Sequence, residues 1–138
     1  DGDLDVIVST NNGFAKLLRN DNGNQNDMLR VKVIGTRSNR DGIGAKVTVV
    51  VSNGEHLAQM VKGGSSYLSQ SELPLTFGLG KPGANRIVSL QIAWPGGKKE
   101  SFHDVKPDQI LTLEEGKGIV SAQPILFSGG AATGPRPR

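Results

Sequence analysis

Ala45-Lys46-Val47-Thr48-Val49-Val50-Val51 runs into Ser52-Asn53-Gly54-Glu55, and residues 57–62 follow as Leu-Ala-Gln-Met-Val-Lys. Ala45, Val47, Val49 and Val51 take every second position, with Lys46, Thr48 and Val50 between them. A period of two puts the first set on the buried face of a pleated strand and the second on its outer face. Asn-Gly between two such runs is a strong hairpin signal, because both residues tolerate the left-handed backbone angles that a tight turn needs. The stretch therefore predicts a strand over 45–51, a hairpin turn and a return strand over 57–62.

The same reading extends in both directions. In residues 28–34, Leu29, Val31 and Val33 stand opposite Arg30 and Lys32. Leu75, Phe77 and Leu79 alternate up to the breaker Gly80-Lys81-Pro82-Gly83. Val88, Leu90, Ile92 and Trp94 alternate with Ser89, Gln91 and Ala93, and Pro95-Gly96-Gly97 turns the chain into a partner strand over 98–102. Residues 110–113 form the last clear strand. Beyond Gly116 the signal fades, with 119–120 and 125–127 left as edge-strand material. Short runs at 4–9 and 17–18 precede a polar loop over 20–27. No long helical period occurs. The prediction is an all-β chain, a small antiparallel β-sandwich or barrel.

Composition limits the function. With 138 residues, 36% hydrophobic and 21% charged, the chain is long enough for one real core and is not a disordered polyelectrolyte. No apolar run reaches membrane-spanning length, so no membrane insertion is expected. The net charge of +3 is dispersed, and only six residues are aromatic, so nucleic acid is not an expected partner. There is no cysteine, which excludes disulfides, thiolate metal sites and cysteine nucleophiles. His56 follows a hairpin turn and His103-Asp104 begins a loop; nothing in the sequence shows a serine, a histidine and an acid converging, so both read as surface turn residues. Glu72, Glu100, Asp104, Glu114 and Glu115 show no pairing that would suggest glycoside hydrolysis. Gly42-Ile43-Gly44 lacks a third glycine and precedes a strand, so it reads as a turn and not as a nucleotide loop.

Two segments invite a ligand. In Gly63-Gly64-Ser65-Ser66-Tyr67-Leu68-Ser69-Gln70, the side chains of Ser65, Ser66, Tyr67, Ser69 and Gln70 supply hydroxyls, an amide and an aromatic ring suited to a carbohydrate or peptide. The favoured alternative is structural: the glycines shape the backbone, the serines cap it, and Tyr67 with Leu68 plugs the core. Trp94 offers a sugar-stacking ring, but it continues the Leu90-Ile92 face and reads first as core.

Four ordered motifs carry a resemblance. They are Asn39-Arg40-Asp41-Gly42-Ile43-Gly44-Ala45, the 64–71 loop, Phe77-Gly78-Leu79-Gly80 and Trp94-Pro95-Gly96-Gly97. Together they resemble the ASPIC/UnbV domain over about residues 30–115. The resemblance implies a non-catalytic β-module for adhesion, scaffolding or interaction, in an extracellular or periplasmic protein. Its alternatives are a carbohydrate-binding module and an accessory domain of a biosynthetic enzyme. It also implies an N-terminal propeller of FG-GAP/VCBS type in the parent chain. Asp1-Gly2-Asp3-Leu4-Asp5 is similar to the second half of that repeat's calcium loop, so the chain reads as part of a longer protein. Asp1, Asp3 and Asp5 are then the metal candidates. The first half of the loop is missing, so no cofactor is expected in this fragment, while the resemblance leaves calcium possible in the intact parent. The division that follows is 1–27 as a partial propeller repeat, 28–116 as the β domain, and 117–138 as a partly disordered extension. The partners implied are a protein or a glycan.

Overall fold

The fold was obtained as a computed structural model, which describes residues 4–20 and 25–125. The described residues fall into two units, one built around the N-terminal ribbon and the other Asn26–Pro124.

In the first unit, β1 (Val6–Val8) and β2 (Lys16–Leu18) form an antiparallel ribbon in the register Val6↔Leu18, Ile7↔Leu17, Val8↔Lys16. Its turn uses Asn12 at φ 59° and a bond from Thr10 Oγ1 to the Phe14 carbonyl (3.1 Å). Every residue of both strands is exposed. A lone two-stranded ribbon is marginal in water.

The second unit is a β-sandwich. One sheet has the order β10–β9–β3–β6, from β3 (Asp27–Ile34), β6 (Leu75–Gly80), β9 (Gln109–Glu114) and β10 (Gly118–Pro124). The other has the order β5–β4–β7–β8, from β4 (Lys46–Val51), β5 (His56–Met60), β7 (Ile87–Ala93) and β8 (Lys99–Phe102). Two separate sheets decide for a sandwich over a barrel. One pair departs from the expected antiparallel pattern: β9 lies parallel to β3, in the register Leu29↔Gln109 to Ile34↔Glu114. The chain reaches β9 only after crossing the other sheet through β7 and β8, and such a crossover permits parallel pairing.

The alternating residues meet between the sheets. Leu29 and Val31, Val47 and Val49, Phe77, Leu90 and Leu113 are all essentially inaccessible. Each such side chain contributes roughly 1.5–3 kcal/mol of transfer free energy. The Asn53-Gly54 hairpin forms as the sequence predicts, with Gly54 at φ 89° donating to the Val51 carbonyl (2.9 Å). Residues 119–120 do enter an edge strand, β10, through a turn over Glu115-Gly116-Lys117 with Gly116 at φ 83°.

Val88 is a correction. It was expected to face inward with Leu90 and Ile92, yet it is 50% exposed. Val50 pairs with Ser89 but Val51 pairs with Ile87, so Val88 is the extra residue of a bulge. The bulge reverses the face sequence, sending Ile87 into the core and Val88 out.

The Asn39–Ala45 motif has a steric basis. Gly42 sits at φ 67°, and a Cβ there would lie 2.2 Å from Val33 Cγ2. A Cβ on Gly35, just before that loop, would lie 2.1 Å from the Asn39 carbonyl oxygen. The loop can fold back over β3 only where these two side chains are absent.

Candidate functional site

Two regions of the sandwich unit combine small and polar residues. The first is a corner where the ends of β3 and β9 meet the β7–β8 turn. Glu115 is 5% exposed there. Its Oε2 accepts the backbone N–H groups of Thr36, Arg37 and Ser38 at 3.0, 2.9 and 2.8 Å, and its Oε1 accepts Ser38 Oγ at 3.1 Å. Thr36 Oγ1 donates back to the Glu115 carbonyl (3.0 Å). Three successive N–H groups form an anion-binding concavity, and the protein fills it with its own carboxylate. The Ser38 N–H leads the effect, and with Arg37 and Thr36 it overcomes desolvation to lower the carboxyl from 4.5 to about 2.

Beside it, Trp94 is 3% exposed, and its indole N–H donates to Glu100 Oε2 (2.6 Å). Lys98 Nζ lies 3.0 Å from Glu100 Oε1, and the Gly116 N–H reaches Oε2 at 3.5 Å. Burial raises the Glu100 carboxyl, but the bonds from Trp94, Lys98 and Gly116 outweigh it and leave it lowered. A general acid or base working near neutrality needs a carboxyl shifted upward. Both corner carboxyls move the other way, and their oxygens are occupied by internal donors. A ring as covered as Trp94 offers no face to a sugar, so this residue of the candidate ligand set belongs to the core.

The second region is the loop between β5 and β6. Ser66 and Ser69 form an isolated antiparallel bridge, with the Ser69 N–H donating to the Ser66 carbonyl (3.2 Å) and the Ser65 N–H to the Ser69 carbonyl (3.4 Å). Ser69 Oγ donates to the Tyr67 carbonyl (3.2 Å). Tyr67 and Leu68 are the central residues of this tight turn, 88% and 89% exposed. The expectation that they plug the core is therefore corrected. Phe77 and its neighbours already close the interior, and the bridge aims the two side chains outward. Leu68 has φ 51°, a left-handed conformation that usually falls to glycine or asparagine and costs a leucine roughly 1–2 kcal/mol. The structure thus brings Ser65, Ser66, Tyr67, Ser69 and the exposed Gln70 into one loop.

The other candidates separate. His103 Nδ1 lies 3.2 Å from the Val88 carbonyl, and Ser66 is engaged in its own turn, so no triad joins them. Asp1 and Asp3 lie outside the described residues. One Asp5 oxygen accepts the Asn20 N–H (2.9 Å), tying the ends of the N-terminal ribbon. One carboxylate does not supply the six to eight oxygens that calcium takes. Among the described residues no group of three His, Cys, Asp or Glu side chains is placed to hold a metal.

Sequence reasoning weighed Glu115 only as an unpaired carboxylate and missed its role, since its partners lie 77 to 79 positions away. It also missed Asp27, 8% exposed, whose Oδ2 accepts the Gly83 N–H (2.8 Å).

A two-sheet β module with a self-filled anion concavity, and with its four motifs placed on turns and core, is a defined class of domain. The chain matches the ASPIC and UnbV family profile over residues 35–120, and it belongs to that family. It is similar to cartilage acidic protein 1 of Homo sapiens, with 41% identity over 118 residues that cover 83% of this chain and 17% of the relative. Cartilage acidic protein 1 of Mus musculus is 40% identical over 118 residues, covering 83% of the chain and 18% of the relative. That of Xenopus tropicalis is 38% identical over 102 residues, covering 71% and 15%. The chain therefore spans less than a fifth of these relatives' length.

Proposed function

We propose that this chain is a non-catalytic interaction module of an extracellular protein, and that the 65–70 loop is its contact element for a protein partner. The observation that carries this reading is the adjacent exposure of Tyr67 and Leu68 on a turn that holds Leu68 left-handed. Strain of this kind persists only where the surroundings impose it, and it is concentrated at functional positions. Tyrosine is enriched among the residues that carry most of the binding energy at protein interfaces. The name of the relatives, which refers to cartilage, supports an extracellular setting. The N-terminal ribbon, open on both faces, supports a neighbouring propeller in the parent chain. Calcium would belong to that propeller's complete loop.

The test is photo-crosslinking from position 67 with a benzoylphenylalanine side chain, in an extracellular-matrix extract. A discrete adduct absent from a control labelled at Val120 supports the reading. No adduct, or the same adducts from both positions, overturns it.

A second reading, a carbohydrate site, is favoured by the hydroxyl and amide side chains that flank Tyr67. On a glycan array it requires binding that is lost in Tyr67→Ser.

A further inference from the structure

We infer that the outer face of β4, β7 and β8 binds an acidic polysaccharide that carries a carboxylate on every second sugar. Val47, Val49, Leu90 and Ile92 are buried in the core, so the residues alternating with them face outward. Strand register then sets two outward rows, Lys46–Ala93–Lys99 and Thr48–Gln91–Ser101. These six residues line a recess of about 400 Å³.

The charge on this face has one sign. No outward position of β5, β4, β7 or β8 carries an acid. Glu100 borders the recess from the inward register, and its carboxylate is already taken by the Trp94 indole and Lys98. Lys46 and Lys99 are exposed, and neither makes an ion pair among the described residues. The other sheet differs, since Arg30 is paired there with Glu72, and Glu114 with Lys117.

Ala93 lies between the two lysines and is too small to fill the space. Two strand spacings separate Lys46 from Lys99, about 10 Å at the backbone. That is close to the length of one disaccharide, so successive uronate carboxylates reach both lysines together. The second row suits the sugar hydroxyls between them. The Thr48 and Ser101 hydroxyls have no hydrogen-bond partner among the described residues. Gln91 Nε2 donates to Ser89 Oγ (3.4 Å), which leaves the Gln91 carbonyl oxygen to accept a sugar hydroxyl.

Other polyanions fit this face less well. β4 and β7 are paired on both sides, so the floor has no free backbone for an acidic peptide. None of the outward side chains lining the recess is aromatic, so nucleic-acid bases have nothing to stack on. The inference goes beyond the loop reading, because Tyr67 does not line this recess. Failure of one therefore leaves the other standing.

The test uses the whole 138-residue chain, labelled with ¹⁵N, at physiological salt. The probe is a hexasaccharide of alternating glucuronate and N-acetylglucosamine. Its controls are the same sugar with its carboxyls reduced to alcohols, and a blocked hexa-aspartate peptide. The expected result is a shift of the Thr48, Gln91 and Ala93 amide resonances. Affinity should fall at least about five-fold in Lys46→Glu, in Lys99→Glu and for the reduced sugar, as the loss of a charge-assisted bond implies. Gln91→Ala should cost about two- to five-fold, the effect of one neutral hydrogen bond. Lys32→Glu makes the same charge change on the other sheet and should stay within about two-fold, because salt screens distant charges. The inference is overturned if none of these amides moves at millimolar sugar, or if the reduced sugar or hexa-aspartate binds as tightly as the probe. It is equally overturned if Lys32→Glu weakens binding as much as the two recess variants do.

Discussion

The Glu115 corner and the Tyr67 loop are built from similar material, yet they dispose of it in opposite ways. In the corner, backbone N–H groups converge on a carboxylate, an indole N–H converges on a second carboxylate, and little faces water. In the loop, the serine and backbone bonds close only the base of a turn, and the two largest side chains stand in solvent. Internal polar satisfaction is the mark of a structural element. An exposed aromatic–aliphatic pair on a strained turn has no such internal account, and that difference is what motivates the proposal of a contact role for the loop and a stabilising one for the corner.

The largest effect should come from breaking the corner's backbone. Gly35→Ala puts a methyl group 2.1 Å from the Asn39 carbonyl oxygen and 2.8 Å from that of Ser38. Neither contact is relieved by a side-chain rotation. Destabilisation should exceed about 3 kcal/mol, seen in urea unfolding as a lower midpoint at unchanged slope. A loss below about 1 kcal/mol would mean that the loop is not held against β3.

Acid should act on the same corner. The Glu115 carboxyl is lowered in the folded protein from 4.5 to about 2. Its contribution is complete above pH 4.5 and is lost as the pH falls toward 2, because the unfolded chain takes up the proton first. Thermal melts across that window should fall more steeply for the parent than for Glu115→Gln. Parallel curves would remove Glu115 as the keystone. Trp94→Phe is the milder intervention. It deletes the donor to Glu100 and leaves a small void, costing about 2 kcal/mol by urea titration.

The strands were legible because burial follows a period of two, and runs such as residues 45–51 display it without interruption. Where the register slips, the same logic fails. The bulge at Val88 depends on how β4 pairs with β7, and the local sequence of β7 carries no mark of it. Edge strand β10 was faint because its outer position exposes most of its residues and erases the alternation. The corner was hidden for a different reason: a carboxylate serving N–H groups nearly eighty positions away leaves no local pattern. Tyr67 and Leu68 were placed inside because large apolar residues usually are, and only the Ser66↔Ser69 bridge fixes their direction.

The loop should respond least to mutation in stability and most in binding. Leu68→Gly relieves a left-handed leucine, worth roughly 1–2 kcal/mol, and loses roughly 0.5–1 kcal/mol to glycine's freedom in the unfolded chain. The net gain should be about 0.5–1 kcal/mol, with a rise of a few degrees in Tm. Tyr67→Ser, at a site making no core contact, should lie within about 0.5 kcal/mol of the parent. If either variant is clearly destabilised, the turn is bearing on the fold and its exposed pair loses the argument for contact. If both melt as expected while crosslinking from the loop is lost in Leu68→Gly, the left-handed leucine is retained against stability, as a contact residue would be.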